Sequence, residues 1–187
     1  LITGGTGFIG SHTCVALLEK GNEVYVIDSL SHSSKRSLKN IKLIFSKKNL
    51  DISNKLFFFQ GDLRDKKFID SVFENVKLKG NSIDGVIHFA GLKAVADSVN
   101  YPIEYWDNNV LGSINLFKSM IENNCKTIIF SSSAVVYGKT NNELIKESKN
   151  INPINTYGST KFTIENLLNN IYQNKKKRME YCYPALF

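Results

Sequence analysis

Tyr157 and Lys161 stand four residues apart in a segment with helical spacing, which predicts that both side chains share one helix face. An ammonium beside a phenol favours the phenolate, so the pair predicts a pKa of Tyr157 lowered toward neutral pH and a tyrosine able to remove a proton. The serines at 131–133 follow a predicted strand, at the carboxyl end where open α/β sheets bind ligands. A hydroxyl there is suited to hydrogen-bond a reacting alcohol or carbonyl.

Gly4, Gly7 and Gly10 lie between a short apolar run and a helical segment. Glycines at this spacing let the chain turn tightly, let its backbone approach a pyrophosphate and let the helix pack close to the sheet. The N-terminus of the helix then offers N–H groups and a partial positive charge to the phosphates. The spacing therefore predicts a dinucleotide site, and the alternative is a tight strand-to-helix turn that binds nothing.

Asp28 ends the second predicted strand, 18 residues after Gly10. A carboxylate at this place accepts hydrogen bonds from a ribose diol and repels a 2′-phosphate, which favours NAD over NADP. Lys35 and Arg36 follow in the next loop and could weaken that repulsion. The alternative role for Asp28 is a cap at the entry of the loop.

The fold class follows from strands that alternate with helices in short steps. This order predicts an α/β fold, a doubly wound parallel sheet with helices on both faces (the Rossmann fold). The predicted strands cover 1–3, 23–27, 56–60, 85–89 and 127–131. The predicted helices cover 8–20, 35–45, 66–78, 104–124 and 155–174.

Length and composition indicate a soluble globular domain. The chain has 187 residues, 42% hydrophobic and 22% charged, and no apolar run approaches the roughly 18 residues of a membrane span. Neither the cysteines (14, 125, 182) nor the histidines (12, 32, 88) have the spacing of metal ligands, so we expect no metal site. Scattered, unpaired cysteines are typical of reduced thiols, which predicts a cytoplasmic protein.

The net charge of +7 raises the question of a nucleic-acid partner. Among 24 basic residues only Arg36, Arg64 and Arg178 are arginines, the residue that phosphate and guanine contacts favour. The lysines are scattered apart from the basic run at 175–178. We therefore interpret the charge as a solvated surface and expect neither a nucleic-acid nor a membrane partner.

Several sequence runs resemble the extended short-chain dehydrogenase/reductase family, and within it the UDP-glucose 4-epimerases. The resemblance covers about residues 1–174, and the run 86–95 (VIHFAGLKAV) points to the epimerases rather than to their relatives. The other runs are TGGTGFIGSHTC at 3–14, GDLR at 61–64, DNNV at 107–110, SSSAVVYG at 131–138 and YGSTK at 157–161.

The resemblance implies residues for the cofactor, the substrate and catalysis. The NAD contacts it implies are Gly4, Gly7, Phe8, Ile9, Gly10, Asp28, Ser33, Asp62, Leu63, Phe89, Ala90, Gly91, Lys93, Asn109, Ser131, Tyr157 and Lys161. It implies a UDP-hexose bound by Lys93, Ser133 and Tyr157, with Ser133, Tyr157 and Lys161 as the catalytic group. The implied reaction interconverts UDP-glucose and UDP-galactose at C4 through a transient 4-keto sugar.

Besides another nucleotide-sugar epimerase of the same family, three other functions remain open at this point. A nucleotide-sugar 4,6-dehydratase of the same family would carry an Asp-Glu pair after the fifth strand, where this chain has Ser133 and Ala134. A sensor protein could bind a dinucleotide without turnover, although such a protein can dispense with the Tyr157 and Lys161 pair. The third possibility is an inactive dinucleotide-binding fragment.

The domain organisation expected from the resemblance is an NAD-binding Rossmann domain over 1–178, with its first strand truncated. We expect residues 179–187 to form an atypical tail, because they do not match the strand expected after the Tyr/Lys helix, and we expect the substrate domain to be absent. The chain opens without Met and closes on Phe187, which indicates a piece of a longer protein. Apolar stripes at 114, 117 and 121 and at 164, 167, 168 and 171 predict a homodimer of the full-length protein through a four-helix bundle.

Overall fold

Parallel strands form the main sheet of this computed structural model, which describes residues 1–139, 144–174, 180–182 and 185–186. The strands in chain order are β1 (Ile2–Thr3), β2 (Val24–Asp28), β3 (Leu56–Gln60), β4 (Gly85–His88), β5 (Thr127–Phe130), β6 (Ser132–Ser133), β7 (Glu180–Cys182) and β8 (Ala185–Leu186). The main sheet has the order β3-β2-β1-β4-β5-β7, and β6 pairs separately with β8. The order reverses direction between β1 and β4, as it does in doubly wound sheets.

Helices connect these strands. They are α1 (Phe8–Glu19), α2 (Arg36–Lys47), α3 (Lys66–Leu78), α4 (Val95–Asn100), α5 (Pro102–Tyr105), α6 (Gly112–Glu122) and α7 (Thr156–Gln173). A π-helical segment, Trp106–Leu111, joins α5 to α6, and a short 3₁₀ turn covers Ala134–Tyr137. Within the described ranges, no helix is long and apolar enough to span a bilayer.

Alternating side chains of β2 divide the hydrophobic core between the two faces of the sheet. Tyr25 and Ile27 pack in a cluster with side chains of α3, α6 and α7, whereas Val24 and Val26 pack in a second cluster with those of α1 and α2. Because neighbouring side chains of a strand point to opposite faces, the two clusters lie on opposite sides of the sheet. The predicted doubly wound α/β fold is therefore confirmed.

Two predicted elements differ from the structure. The helix predicted over 104–124 is helical from Pro102 to Glu122, but the π segment interrupts it. The tail was expected to lack the next strand, and this expectation is wrong, because Glu180–Cys182 pairs in parallel with β5. A three-residue strand leaves too short a hydrophobic pattern to be distinguished from a loop in the sequence.

The apolar stripes predicted to face a second copy are partly covered inside the chain. Phe117, Ile164 and Leu168 are 1%, 1% and 0% exposed, and they belong to the cluster on the α6 and α7 face of the sheet. These three side chains pack against the sheet and do not face a second copy. The other members of the stripes are half-buried, so the dimer stays a prediction: Ile114, Ile121, Leu167 and Ile171.

A buried chain of hydrogen bonds crosses the centre of the sheet through His88. Ser113 donates its hydroxyl hydrogen to the carbonyl of Asn109 (2.5 Å), so His88 Nε2 donates to Ser113 Oγ (2.9 Å). Nδ1 of His88 is then an acceptor, and Thr3 Oγ1 donates to it (2.6 Å) while accepting from the backbone N–H of Ala90 (3.3 Å). The directions of these bonds assign a neutral His88 with its hydrogen on Nε2.

Asn109 extends this chain to the last helix. Its amide accepts from the N–H of Leu92 (2.7 Å) and donates to the carbonyl of Leu92 (3.0 Å). The same Nδ2 lies 3.2 Å from Thr160 Oγ1, whose hydroxyl donates to the carbonyl of Tyr157 (2.7 Å). The strand ends β1 and β4 and the first turn of α7 are thus connected through buried polar side chains.

His88 makes the stability of the fold depend on pH. Burial, together with the nearby Lys161 ammonium, lowers the pKa of His88 to about 3. Between that value and about 6.5, the unfolded chain binds a proton that the folded chain does not. We expect the free energy of unfolding to fall as the pH decreases from about 6.5 to about 3, by at most about 1.4 kcal/mol per pH unit.

Equilibrium unfolding in denaturant across this pH range measures the effect. His88→Asn should cost more stability at pH 7.5 than at pH 5, whereas His32→Asn, at an exposed position, should show no such difference. An equal loss of stability for His88→Asn at both pH values would contradict a neutral, buried His88.

Candidate functional site

A cavity of about 880 Å³ opens at the carboxyl ends of the strands. Its walls come from the glycine turn, the end of β2, the segments that follow β3, β4 and β5, and the start of α7. Sequence-predicted site residues that line it are Gly4, Gly7, Phe8, Ile9, Gly10, Asp28, Ser33, Asp62, Leu63, Phe89, Ala90, Gly91, Lys93, Ser131, Ser133, Tyr157 and Lys161. These predicted residues come from six separate parts of the sequence.

The glycine turn is closed so tightly that side chains would not fit. Gly4 has a φ of +68°, and a Cβ there would lie 2.8 Å from the backbone nitrogen of Ala90. A Cβ at Gly10 would lie 2.3 Å from the carbonyl oxygen of Gly4. These contacts bring β1, α1 and the end of β4 together, as the sequence spacing predicts.

The N-terminus of α1 faces the same cavity. Gly7 caps the helix without a side-chain hydrogen bond, and the first turn carries no acidic residue. The first intrahelical bond joins Ser11 N to Gly7 O (2.9 Å), so the N–H groups of residues 8–10 precede the hydrogen-bond ladder. These groups and the helix dipole can hold an anionic group such as a phosphate.

Asp28 anchors the glycine turn as well as lining the cavity. Oδ2 accepts from the N–H of Thr6 (3.0 Å), and Oδ1 accepts from the N–H of Leu30 (2.9 Å) and from Ser33 Oγ (2.8 Å). An ionised carboxylate has about four acceptor positions, so these three bonds leave room for a ligand hydroxyl. Both predicted roles of Asp28, as an acceptor for a ribose hydroxyl and as a loop cap, are compatible with this geometry.

The carboxylate of Asp62 is engaged by Arg64. The guanidinium of Arg64 binds Asp62 Oδ2 through Nη2 (2.7 Å) and Asp107 Oδ2 through Nη1 (3.0 Å). These hydrogen bonds hold the pKa of Asp62 below its usual range. Asp62 therefore faces the cavity as part of an ion pair rather than as a free acid.

Asn109 is the one predicted site residue that does not line the cavity. Its side chain is 3% exposed, and it holds the backbone of Leu92 from behind. A Cβ at Gly91 would lie 3.1 Å from Asn109 Oδ1, so glycine allows the segment 91–93 to pass close to the amide. Asn109 supports the cavity wall from outside.

Ser133, Tyr157 and Lys161 meet at the far end of the cavity. Asn155 caps α7 by accepting from the N–H of Gly158 (2.8 Å), which fixes the start of the helix beside the segment 131–133. The Ser133 hydroxyl lies close enough to Tyr157 to act on its pKa, and Lys161 Nζ donates to the carbonyl of Ser131 (2.9 Å). The predicted juxtaposition of these three residues is present in the structure.

The pKa of Tyr157 does not follow the prediction. Burial raises it above the usual value, although the hydrogen bond from Ser133 acts in the opposite direction. Lys161 Nζ lies 5.8 Å from the centre of the Tyr157 ring and 4.7 Å from that of Phe130. The prediction of a lowered pKa is therefore wrong for this structure, because Nζ is bound to the backbone of Ser131 and the phenol is partly desolvated.

Sequence reasoning missed one wall of the cavity, on α4 and α5. Its residues are Leu92, Ala94, Asp97, Tyr101, Glu104, Tyr105 and Asn108. The run 95–100 is too short for a helical period, and Tyr105 holds it by donating to the carbonyl of Ala94 (2.6 Å). The proline at 102, the first residue of α5, was the available signal of a helix start.

The described part of the chain contains no group of three or more His, Cys, Asp or Glu side chains placed to hold a metal ion. Cys14 and Cys125 are buried free thiols, and burial raises the pKa of both. They contribute to packing, since desolvation disfavours the reactive thiolate.

Comparison with known proteins gives concordant matches. The family profile described as GDP-mannose 4,6 dehydratase matches residues 1–187. UDP-glucose 4-epimerase of Bacillus subtilis is 44% identical over 172 residues, covering 92% of this chain and 47% of that protein. A bifunctional UDP-glucose 4-epimerase and UDP-xylose 4-epimerase of Arabidopsis thaliana is 43% identical with the same coverage.

Solved structures agree with these relatives. UDP-glucose 4-epimerase of Bifidobacterium longum, crystallised with NAD⁺ and UDP, has a TM-score of 0.87 and 38% identity, over 98% of this chain and 51% of that one. The chain thus spans about half the length of the proteins it matches. Since the profile matches it from end to end, the chain belongs to the family described as GDP-mannose 4,6 dehydratase, among the epimerases and dehydratases of the extended short-chain dehydrogenase/reductases.

Proposed function

We propose that this chain is the NAD-binding part of an enzyme that interconverts UDP-glucose and UDP-galactose at C4. The observation that carries the proposal is one cavity bounded at one end by a glycine turn and a helix N-terminus and at the other by Ser133, Tyr157 and Lys161. The names of the relatives, UDP-glucose 4-epimerases from bacteria and plants, support the same reaction.

NAD fits the cavity on structural grounds. A Cβ at Gly7 would meet one protein atom within 4 Å, Gly4 O at 3.2 Å, so the backbone there is open to a close ligand. The residues that would hold NAD are those of the glycine turn, Asp28, Ser33 and the segment 89–93. When bound, NAD would supply a hydride acceptor and donor for C4 of the sugar.

The protein residues would handle the proton of the 4-hydroxyl group. Tyr157 would accept that proton at its phenolic oxygen and return it to the 4-oxygen after the keto sugar has presented its other face. Ser133 would hydrogen-bond the 4-oxygen, and its bond to Tyr157 favours the phenolate. Lys161 would hold the nicotinamide ribose, and Lys93 would contact the UDP-hexose.

A dehydratase is the second candidate, because the matching family is described by that reaction. Elimination of the 6-hydroxyl group needs an acid and a base beyond the tyrosine. The positions after β5 carry Ser133 and Ala134, and neither offers a carboxylate. This difference favours epimerisation, in which no net NADH accumulates.

Exposed apolar side chains support a homodimer of the complete protein. Ile103 is 82% exposed on α5, and Leu111 is 40% exposed at the end of the π segment. Exposed apolar side chains about two helical turns apart favour burial against a second copy. We further propose a cytoplasmic protein without a nucleic-acid partner, although the basic run at 175–178 lies outside the described residues.

Tyr157→Phe in the complete protein tests the proposed base. The variant keeps the ring but loses the phenol, so turnover of UDP-galactose should fall about 10²–10⁴-fold while NAD stays bound. Tyr25→Phe is the matched control, because the Tyr25 hydroxyl binds Glu23 (2.8 Å) and does not line the cavity. Near-normal epimerisation by Tyr157→Phe would rule out this assignment.

Cofactor choice tests the proposed role of Asp28. We expect this chain to bind NAD more tightly than NADP by about 1–3 kcal/mol, the cost of a poorly matched buried polar group. Titration calorimetry with both cofactors gives the two dissociation constants. Asp28→Asn should narrow the difference and Asp51→Asn, an exposed carboxyl group in a loop, should leave it unchanged; equal affinities for NAD and NADP in the unmodified chain would refute the assignment.

Light scattering tests the dimer. The complete protein should have twice its chain mass at micromolar concentration, and Ile103→Lys should reduce that mass toward the monomer because a charge would be buried in the interface. Leu144→Lys makes the same kind of change at another exposed aliphatic side chain and should leave the dimer intact. A monomeric complete protein would count against this surface.

A further inference from the structure

Glu165 is a buried carboxyl group that the proposed chemistry does not use. It lies on α7, one turn after Lys161, and is 7% exposed. The hydroxyl of Ser132 donates to Glu165 Oε1, so the carboxyl group is fixed between α7 and β6. A buried acid at such a position needs a partner, because an unpaired buried charge is strongly disfavoured.

Lys161 lies one helical turn earlier on the same face of α7, and its ammonium is buried as well. Burial lowers the pKa of Lys161 to about 8, and the negative charge of Glu165 acts against this shift. Burial raises the pKa of Glu165, while Ser132 and the Lys161 charge lower it. Each of the two groups therefore favours the charged form of the other.

Groups on the other elements do not replace Glu165 in this role. His88, on β4, is neutral, and Phe130, on β5, offers only the face of its ring to Lys161 Nζ at 4.7 Å. Tyr157 approaches the ammonium through its ring, and Tyr137 faces Glu165 as a neutral phenol with a raised pKa. Among the described residues, Glu165 is the acidic group whose charge acts on Lys161.

Contacts between the segment 131–133 and α7 hold Lys161 and Glu165 in position. The carbonyl of Ser131 accepts from Lys161 and the hydroxyl of Ser132 donates to Glu165. Two consecutive residues thus bind two side chains that are four residues apart on one helix face, and Ser133 lies near the third, Tyr157. The Glu165 contact is at the end of this series farthest from the tyrosine.

We propose that Glu165, oriented by Ser132, is a positioning residue that keeps Lys161 a cation in the proposed active site. The inference depends on the proposed function for its catalytic meaning, but the buried positions of Lys161 and Glu165 and their hydrogen bonds to the segment 131–133 are present without cofactor or substrate. A measurement of the Lys161 charge in this chain alone therefore tests the inference separately from epimerisation.

Competitive acetylation of the folded chain across a pH series measures that charge, because acetic anhydride reacts with the neutral amine. Mass spectrometry of the peptide that contains Lys161 gives the pH at half-maximal labelling. Glu165→Gln keeps an oxygen that can accept from Ser132 but removes the negative charge, so labelling of Lys161 should begin at lower pH than in the unmodified chain. Glu165→Asp should stay closer to the unmodified chain, since it retains the charge.

Glu74→Gln is the matched control, because it removes one charge from an exposed position of α3 and should leave Lys161 labelling unchanged. An unchanged labelling midpoint in folded Glu165→Gln would overturn the proposal. If that variant does not fold, the carboxyl ¹³C resonance of Glu165 in the unmodified chain provides the test. An ionised Glu165 at pH 7 is the expected result, and a neutral one would overturn the proposal.

A failed epimerase assay combined with a shifted Lys161 titration in Glu165→Gln would reject the proposed function but not the charge pair. Normal epimerisation with an unshifted titration would reject the role of Glu165 and leave the function in place.

Discussion

The neutral imidazole of His88 fixes the relative position of the elements that form the site. It accepts from Thr3 at the end of β1 and donates to Ser113 on α6, and both bonds are buried. A shift of either element would leave a buried donor or acceptor without a partner, at a cost of about 1–3 kcal/mol per group. Since Thr3 also accepts from Ala90, the same chain sets the distance between the glycine turn and the cavity wall after β4.

The π segment extends this constraint from the centre of the sheet to α7. A π turn accommodates an extra residue in a helix, and such turns are frequent at functional sites. Here the segment contains Asn109, which binds Leu92 with both its amide oxygen and nitrogen and reaches Thr160. The polar series therefore connects the part of the cavity suited to phosphates with the helix that carries Tyr157 and Lys161.

Local patterns allowed most of the sheet and the site to be predicted from the sequence. The glycine spacing, the strand that ends at Asp28 and the pair Tyr157 and Lys161 each depend on residues close in the chain, and their constraints are visible in one short segment. Features that depend on distant contacts could not be found in this way. The apolar stripe through Phe117 was predicted to pack against a second copy, whereas Phe117 packs in the core of the chain. Periodicity identifies the buried face of a helix but not the element that packs against it.

The ionisation states of Tyr157 and Lys161 also could not be predicted from local sequence patterns. Four-residue spacing brings Tyr157 and Lys161 together, but burial raises the pKa of the phenol and lowers that of the ammonium, so both shifts favour the neutral forms. The proton removal proposed for Tyr157 would therefore depend on groups that favour the charged forms. The hydrogen bond of Ser133 does so for the phenolate and the carboxylate of Glu165 does so for the ammonium. The fold brings Ser133 and Glu165 to the same end of the cavity. The ionisation of Tyr157 and Lys161 therefore depends on the contact between α7 and β6 and not only on their four-residue spacing.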